Sequence, residues 1–510
     1  MSLIRRAGTV GGLTLLSRVF GFGRDVVMAA ILGAGPLADA FMVAFRLPNH
    51  FRAIVAEGAF NSAFIPTYAA LREREGEAAA ASFRSTILAW SLAANGILLA
   101  IALVATGWVV AILAPGLGDD PGQHALAVDL TRITFPYLAC MSVVTLMSGV
   151  LNAHDRFAAA AAAPILLNVA MTVALLAASA FPTAAHAAAW GVIAGGVLQV
   201  VFVAMACARA GLRFTLSPPR LDPAVTTFFR RFGPAILGAG GVQIAMFADT
   251  IIATFLPTGS LSFLYYADRL YQLPLAVIGI AIGTALLPDL SRRFSDPGDA
   301  SAPASLGHAV AVCLVLGIPC AVGLSLLGDL VIEVLFARGA FTPAAVAGAA
   351  GALAAYALGL PAAVALRALV SGFHARGDTL TPVKALGLST VVNVGLKLLL
   401  VGPLAHAGLA LATAVGVTVY AGILALWLAL GKSIRIPLDD RTRILAVLAG
   451  AVLVAAAILL LRHPVETMSL TLVPRWRAEA TLAALCMLSL GLFAIDLGAA
   501  EAWNRRRTRR

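Results

Sequence analysis

The chain has 510 residues, of which 60% are hydrophobic and only 12% are charged, and its formal net charge is +11. Its mean hydropathy of +0.93 excludes a soluble protein, because apolar runs of about 20 residues, the length that crosses a bilayer, recur along nearly the whole sequence. The runs are continuous and do not alternate with polar residues, so the composition also excludes a transmembrane β-barrel.

In chain order, the apolar runs predict an all-α polytopic membrane protein with about fourteen transmembrane helices. If the amino terminus is cytoplasmic, the outer loops hold only four basic residues, and most other lysines and arginines lie on the cytoplasmic side. The positive charge therefore encodes topology, with both termini cytoplasmic, and does not indicate a nucleic-acid partner. We expect the opening MSLIRR to belong to a retained first helix and not to a signal peptide, because Arg18 interrupts the apolar stretch and no clear cleavage site follows. The predicted spans are 9–33, 37–66, 85–113, 130–152, 157–180, 187–208, 228–256, 261–290, 308–328, 346–373, 382–401, 407–430, 442–461 and 478–497.

The sequence resembles itself at an offset of about 220–225 residues. For example, "RRAG" at 5–8 matches "RRFG" at 230–233, and "AFIP" at 63–66 matches "ALLP" at 285–288. Each repeat holds six spans and returns the chain to the same side, so the halves are predicted to be parallel repeats, with a transporter's substrate site between them near the midplane. The predicted parts are an N-terminal six-helix lobe (1–208), an interfacial linker (209–227), a C-terminal six-helix lobe (228–430), and an appended helix pair with a basic cytoplasmic tail (431–510).

Ionisable residues concentrate in the first two predicted helices, although a charge at the bilayer centre costs roughly 2.5–3.5 kcal/mol by insertion scales. Such groups usually face a water-filled pathway, and arginine suits bidentate binding of phosphate oxygens, so the pattern favours a polyanion site. Gly21, Gly23 and Gly33 lower helix propensity and permit a bend or unwound turn, which would let Arg18 and Arg24 face one cavity. The first-half charges are Arg18, Arg24, Asp25, Asp39, Arg46, Arg52 and Glu57, and the matching second-half helices carry Asp249, Asp268 and Arg269.

The alternative is that these charges only pair with one another to hold the helices together, for example Arg24 with Asp25 or Asp39. Against this, Asp25 and Asp268 each adjoin an arginine in the sequence, and neighbouring residues are not expected to share a helix face fully.

Asp249 has no adjacent base in the seventh span, which makes it a candidate site for a monovalent cation or a proton, with Asn393 and Thr413 as further oxygen ligands. Pairing of Asp249 with a cavity arginine is equally open.

The sequence holds no metal-ligand cluster, no nucleophile–base signature and no GxxxxGK[ST] loop, so we expect neither an enzyme nor an ATP-driven pump. The five cysteines lie in apolar spans without CxxC spacing and predict neither disulfides nor a metal site.

Several stretches of the sequence resemble the MurJ (MviN) family of lipid II flippases, which belongs to the multidrug/oligosaccharidyl-lipid/polysaccharide exporter superfamily. The similarity runs over essentially the whole chain, and the motifs in the first two helices are specific to the family. The stretches are "SRVFGFGRD" (17–25), "GAGPLADAFMVAFRLPNHFR" (33–52), "AEGAFNSAFIP" (56–66), "GPAILG" (233–238), "YYADRLYQLP" (265–274) and "GIAIGTALLPDLSR" (279–292).

The resemblance implies movement of an undecaprenyl-pyrophosphate-linked disaccharide-pentapeptide to the outer leaflet of a bacterial inner membrane, for peptidoglycan synthesis. It further implies that the appended helices form a groove for the lipid tail, and that Na⁺, H⁺ or the membrane potential drives the cycle without a bound cofactor. Membrane lipids and wall-synthesis proteins are the other expected partners. By resemblance, the substrate-binding residues are Arg18, Arg24, Arg52, Arg269 and Asp39, and the further cavity positions are Ser17, Asp25, Arg46, Glu57 and Asp268.

Three alternatives remain open at this point. A drug–cation antiporter of the same superfamily would be expected to have a cavity rich in acids and aromatics. A flippase for another polyprenyl-linked oligosaccharide would keep the basic cavity and differ only in the sugar that it binds. A non-transporting scaffold for wall synthesis would tolerate replacement of the cavity arginines.

Overall fold

The computed structural model describes residues 3–52, 59–215, 217–295, 299 and 301–508. Within these residues the chain is helical and contains no β-strand, which confirms the predicted all-α class. The helices are α1 (Leu3–Leu32), α2 (Pro36–Arg52), α3 (Phe60–Val104), α4 (Thr106–Leu113), α5 (Pro121–Thr134), α6 (Tyr137–Ala153), α7 (Ala158–Leu176), α8 (Ala184–Arg209), α9 (Pro223–Thr254), α10 (Ser260–Ser295), α11 (Ala302–Leu326), α12 (Gly328–Phe336), α13 (Pro343–Ala357), α14 (Leu360–His374), α15 (Leu380–Leu430), α16 (Leu438–Leu472) and α17 (Arg477–Thr508).

Many of these helices suit a membrane. Within the described ranges, eight helical segments are long and apolar enough to span one, or up to nine if the bent pair α13 and α14 counts as one span. The helix α3 is broken at Gly76, between the second and third predicted spans, and α15 is broken at Ala405, between the eleventh and twelfth. The count of about fourteen spans stays a prediction.

The chain divides into two compact units. The N-terminal unit comprises Met1–Leu261 with Arg338–Phe341, and the C-terminal unit comprises Ser262–Ala337 with Thr342–Arg510. The helix α9, which the repeat places in the second lobe, packs against α3 in the N-terminal unit, where Phe228 lies 5.5 Å from Phe60 between ring centroids. Compactness does not measure where a sequence repeat begins, so the predicted boundaries at 208, 227 and 430 stay predictions.

Small residues bring the helices of the N-terminal unit close together. A Cβ atom on Gly191 or Gly195 of α8 would lie 2.8 Å from the Cα of Met171 or of Leu167 on α7. Such approach is typical of membrane helices, whose association depends on van der Waals packing because lipid offers no hydrophobic driving force. The helix α1 then packs on α7, α2 on α5, and α3 on both α6 and α9.

The end of α1 is fixed by a glycine turn. Gly33 follows the helix with φ +67°, a conformation that strains other residues, and a Cβ there would lie 2.4 Å from the carbonyl oxygen of Ala340. The backbone N–H of Ala340 donates to the carbonyl oxygen of Ala30 at 2.8 Å. The segment 338–341 therefore packs directly on the last turn of α1, within the same unit.

The helix α1 itself runs unbroken through Gly21 and Gly23, so the unwound turn that these glycines would permit is not formed there. The structure gives Gly21 a different use, because a Cβ at this position would lie 3.3 Å from Nδ2 of Asn168 on α7. The missing side chain allows close packing of α1 against α7 and does not break the helix.

In the C-terminal unit, the appended helices α16 and α17 pack on each other and on α11 and α12. Near one end of the pair, the buried carboxylate of Asp440 lies 2.8 Å from Nδ1 of His308 and 2.9 Å from Nη1 of Arg443. Near the other end, Arg462 forms an ion pair with Asp329 of α12. The appended pair is thus attached to the rest of this unit at both ends.

Candidate functional site

The charged pair of α1 is buried in the N-terminal unit. The side chains of Arg24 and Asp25 are 7% and 3% exposed, and Nη2 of Arg24 lies 2.6 Å from Oδ1 of Asp25, with Nε at 3.1 Å from the same oxygen. This is one of the pairs named by the alternative in which the intramembrane charges pair with one another. Successive residues point about 100° apart around a helix, but the long arginine side chain turns back far enough to reach the adjacent carboxylate.

Asn168 on α7 completes this cluster, and sequence analysis did not single it out. Its Oδ1 accepts from Nη1 of Arg24 at 3.0 Å, and its Nδ2 donates to the backbone carbonyl oxygen of Ser17 at 3.1 Å. Only one orientation of the amide satisfies both bonds, because arginine only donates and a carbonyl only accepts. We call Arg24, Asp25 and Asn168 the α1–α7 cluster. The available signal is that Asn168 carries the one side-chain amide of the largely apolar span 157–180.

Asp39 lies in the first turn of α2 and is only 4% exposed. Its Oδ2 accepts from the backbone N–H of Gly259 at 2.5 Å, which ties the start of α2 to the turn before α10. A carboxylate at this position also meets the positive end of the helix dipole. Its predicted partnership with an arginine stays a prediction.

The remaining candidates of the first two helices are more accessible. Arg18 is exposed, whereas Ser17, Arg46 and Arg52 are partly buried. Nε of Arg52 donates to the side-chain oxygen of Asn49 at 3.2 Å, one turn earlier on α2. Glu57 lies outside the described residues.

The second-half candidates Asp268 and Arg269 lie on α10 of the C-terminal unit, both partly buried. The guanidinium carbon of Arg269 lies 4.6 Å from the ring centroid of Tyr265, a cation–π contact that holds the side chain across one helical turn. Asp268 accepts a hydrogen bond from the amide of Gln272.

The three candidate ion ligands lie on separate helices or helix segments. Asp249 is partly buried on α9 of the N-terminal unit, and Asn393 and Thr413 belong to α15 of the C-terminal unit. The amide of Asn393 donates to the carbonyl of Ala412 at 3.1 Å, so it already joins the two segments of α15. Within the described ranges no group of three or more His, Cys, Asp and Glu residues has the arrangement of a metal site.

A second buried arginine, Arg84 on α3, is also absent from the sequence-based candidates. It forms an ion pair with Glu77 at 2.6 Å and donates to the Tyr68 hydroxyl at 3.1 Å and to the Arg213 carbonyl at 3.1 Å. These bonds attach the predicted linker to α3.

His154 lies 3.0 Å from the hydroxyl oxygen of Tyr68. Burial lowers the pKa of His154 below its ordinary value of 6.5, and neighbouring arginines lower it further.

A family model described as lipid II flippase MurJ matches residues 28–474. Asp39, Arg52 and Arg269 lie inside this range, whereas Arg18, Arg24 and Asp25 precede it. A probable lipid II flippase MurJ of Rhizobium meliloti (strain 1021) is 42% identical over 427 residues, covering 81% of this chain and 78% of that protein.

A lipid II flippase MurJ of Burkholderia cenocepacia is 37% identical over 469 residues, covering 90% of each chain. Among solved structures, a lipid II flippase MurJ in an inward closed conformation aligns with a TM-score of 0.79 at 22% identity, covering 98% of this chain and 99% of that one. An inward-facing multidrug resistance transporter of the MATE family aligns with a TM-score of 0.66 at 15% identity, covering 86% and 98%. At these identities the solved structures indicate the fold alone.

Proposed function

The chain belongs to the lipid II flippase MurJ family, and we propose that it moves lipid II from the cytoplasmic to the outer leaflet of a bacterial inner membrane. The observation that carries this proposal is the family match over residues 28–474. Relatives at 42% and 37% identity, each aligned over most of the chain, support it. The protein is accordingly a transporter and not an enzyme.

The chemistry of the substrate explains why arginines lie in apolar helices. Lipid II carries a pyrophosphate and a sugar–peptide headgroup, and unaided transfer of such charged and polar groups through hydrocarbon is prohibitively costly. Guanidinium groups bind phosphate oxygens with two parallel hydrogen bonds. We assign this role to Arg18, Arg52 and Arg269, each of which is at least partly exposed within its own unit.

Arg24 has a different role in this proposal. Its charge is compensated by Asp25 at 2.6 Å, so the pair adds no net charge that would attract the pyrophosphate. What Arg24 supplies is a guanidinium plane held in a fixed position, whose hydrogen bonds exchange from Asp25 to the substrate during the cycle.

The transport cycle follows from the repeat. Two parallel halves rock between inward-facing and outward-facing states around a substrate site near the midplane, with both termini cytoplasmic. The polyprenyl tail stays in lipid beside the appended helices, whose surface includes exposed side chains such as Leu459, Leu460 and Met487.

The energy source is the remaining part of the proposal. In this proposal, binding of Na⁺ or H⁺ at Asp249 couples an ion gradient to the cycle. The membrane potential is the other source, since one elementary charge crossing 100 mV is worth about 2.3 kcal/mol.

The test uses bacteria depleted of their own lipid II flippase. Expression of the intact chain is expected to restore growth and to move lipid II to the outer leaflet, which a leaflet-specific assay measures. Arg269→Ala, expressed at the same level, is expected to leave lipid II in the inner leaflet. Stable expression without rescue would contradict the proposed function and would favour another polyprenyl-linked sugar as the substrate.

A further inference from the structure

We propose that Asn168 is a positioning residue for lipid II transport, which holds the guanidinium of Arg24 in the plane that the substrate pyrophosphate meets. This inference rests on the proposed function and assigns a role to a residue outside the charged motifs. Asn168 is 7% exposed, on a helix whose only other polar side chain is Thr172.

Arg24 is held from two helices, and Sδ of Met171 on α7 also lies 3.8 Å from its Nη1. Asp25 contacts Nε and Nη2 through a single oxygen, Oδ1, at 3.1 and 2.6 Å. Because these two bonds share one acceptor atom, a bond at the third nitrogen adds a constraint on the orientation of the guanidinium plane. Asn168 bonds the third nitrogen, Nη1, at 3.0 Å from a different helix and thereby fixes the plane. An arginine fixed before the ligand arrives loses less conformational entropy on binding.

The amide of Asn168 is itself fixed by α1. Its Nδ2 donates to the Ser17 carbonyl, and Gly21 leaves the space for this approach, because a Cβ there would lie 3.3 Å from that nitrogen. An asparagine therefore matches a donor on one side and an acceptor on the other. Aspartate lacks the donor, and leucine lacks both groups.

A role in packing alone can be separated from a role in positioning, because a second buried amide lies in the same unit. Gln199 on α8 is 1% exposed and donates to the carbonyl of Ala163 on α7 at 3.0 Å. Gln199→Glu is thus a matched control for Asn168→Asp. Both substitutions replace a buried amide by a carboxyl group at a contact with another helix, and only the first touches the α1–α7 cluster.

The experiment measures lipid II binding to the full-length protein in nanodiscs, together with thermal unfolding of the ligand-free protein. Asn168→Leu is expected to weaken binding about two- to tenfold. Asn168→Asp is expected to weaken it further, since the added carboxylate competes with the pyrophosphate for Arg24. In an Arg24→Gln background both effects should disappear, because the group that Asn168 positions is gone.

A glycine pair provides a second test that leaves Asn168 in place. Gly21→Ala adds a methyl group against the amide, whereas a Cβ on Gly23 meets no atom within 4 Å. The two substitutions raise helix propensity alike. We expect Gly21→Ala to weaken lipid II binding and Gly23→Ala to leave it unchanged.

The outcomes distinguish this inference from the proposed function. Equal losses from Asn168→Leu in the wild-type and Arg24→Gln backgrounds, or equal behaviour of Asn168→Asp and Gln199→Glu, would overturn the positioning role. If the wild-type chain does not bind lipid II, the proposed function fails and this role fails with it. The unfolding data would then still show whether Asn168 and Arg24 are energetically coupled.

Discussion

Removal of one member of the buried ion pair on α1 should destabilise the protein more than removal of both. In Asp25→Ala, the guanidinium of Arg24 stays in a position where its side chain is 7% exposed, and it loses the oxygen that both Nε and Nη2 contact. Asn168 still accepts from Nη1, but a neutral amide does not replace the carboxylate that the substitution removes.

The magnitude follows from burial and distance. Two unit charges about 4 Å apart interact by about 4 kcal/mol at an effective dielectric constant of about 20, and the charged atoms of this pair are closer, at 2.6 Å. Breaking a buried pair by removing one partner typically costs about 3–5 kcal/mol. Replacing both members by apolar residues of similar volume is often close to neutral, so Arg24→Leu combined with Asp25→Leu should be more stable than Asp25→Ala alone.

The assay is thermal unfolding of purified variants in one detergent. At about 2–4 °C per kcal/mol for a domain of about 200 residues, Asp25→Ala should lower Tm by about 6 °C or more. Asp119→Ala removes an exposed carboxylate and serves as the control, with an expected change of less than about 0.5 kcal/mol. Asp25→Ala and Asp119→Ala having the same Tm, or the double replacement having the lowest Tm of all variants, would refute this prediction.

Two further predictions follow from backbone geometry and from a titrating group. Gly33→Ala should destabilise the protein by about 1–2 kcal/mol or more, because φ is positive there and the added Cβ would meet the Ala340 carbonyl oxygen at 2.4 Å. Gly35→Ala adds a Cβ in open space and should have the same Tm as the wild type. Equal Tm values for the two variants would contradict this prediction. The pKa of His154 is lowered in the folded protein, so below pH 6.5 the unfolded chain binds more protons than the folded chain. Stability should therefore fall as the pH drops from 6.5 towards the folded-state pKa. His154→Gln should flatten this part of the Tm-against-pH curve, and an unchanged slope would exclude His154 as its source.

The class of protein could be predicted from the sequence because lipid imposes a simple rule on it. Backbone polar groups in hydrocarbon must bond within their own helix, so each apolar run of sufficient length becomes a helix. The breaks at Gly76 and Ala405 fall between predicted spans for the same reason, since the chain must turn where the apolar run ends.

The details of the α1–α7 cluster could not be predicted in this way. Arg24 and Asn168 are 144 positions apart, and no periodicity in either helix indicates that α1 packs on α7. The sequence leaves Arg24 with two possible partners, Asp25 and Asp39, because the length and flexibility of the arginine side chain decide which carboxylate it reaches. Gly21 was interpreted as a helix breaker, but its function depends on a neighbour that the sequence does not identify.

The most direct test of the central claim is lipid II flipping by the purified chain in proteoliposomes. Lipid II placed in one leaflet should appear in the other at a rate well above that of protein-free vesicles. Arg269→Ala should lower that rate, and an exposed-surface variant such as Asp119→Ala should keep it. If lipid II stays in its leaflet in the presence of folded wild-type protein under an imposed Na⁺ gradient, pH gradient or membrane potential, the chain is not a lipid II flippase.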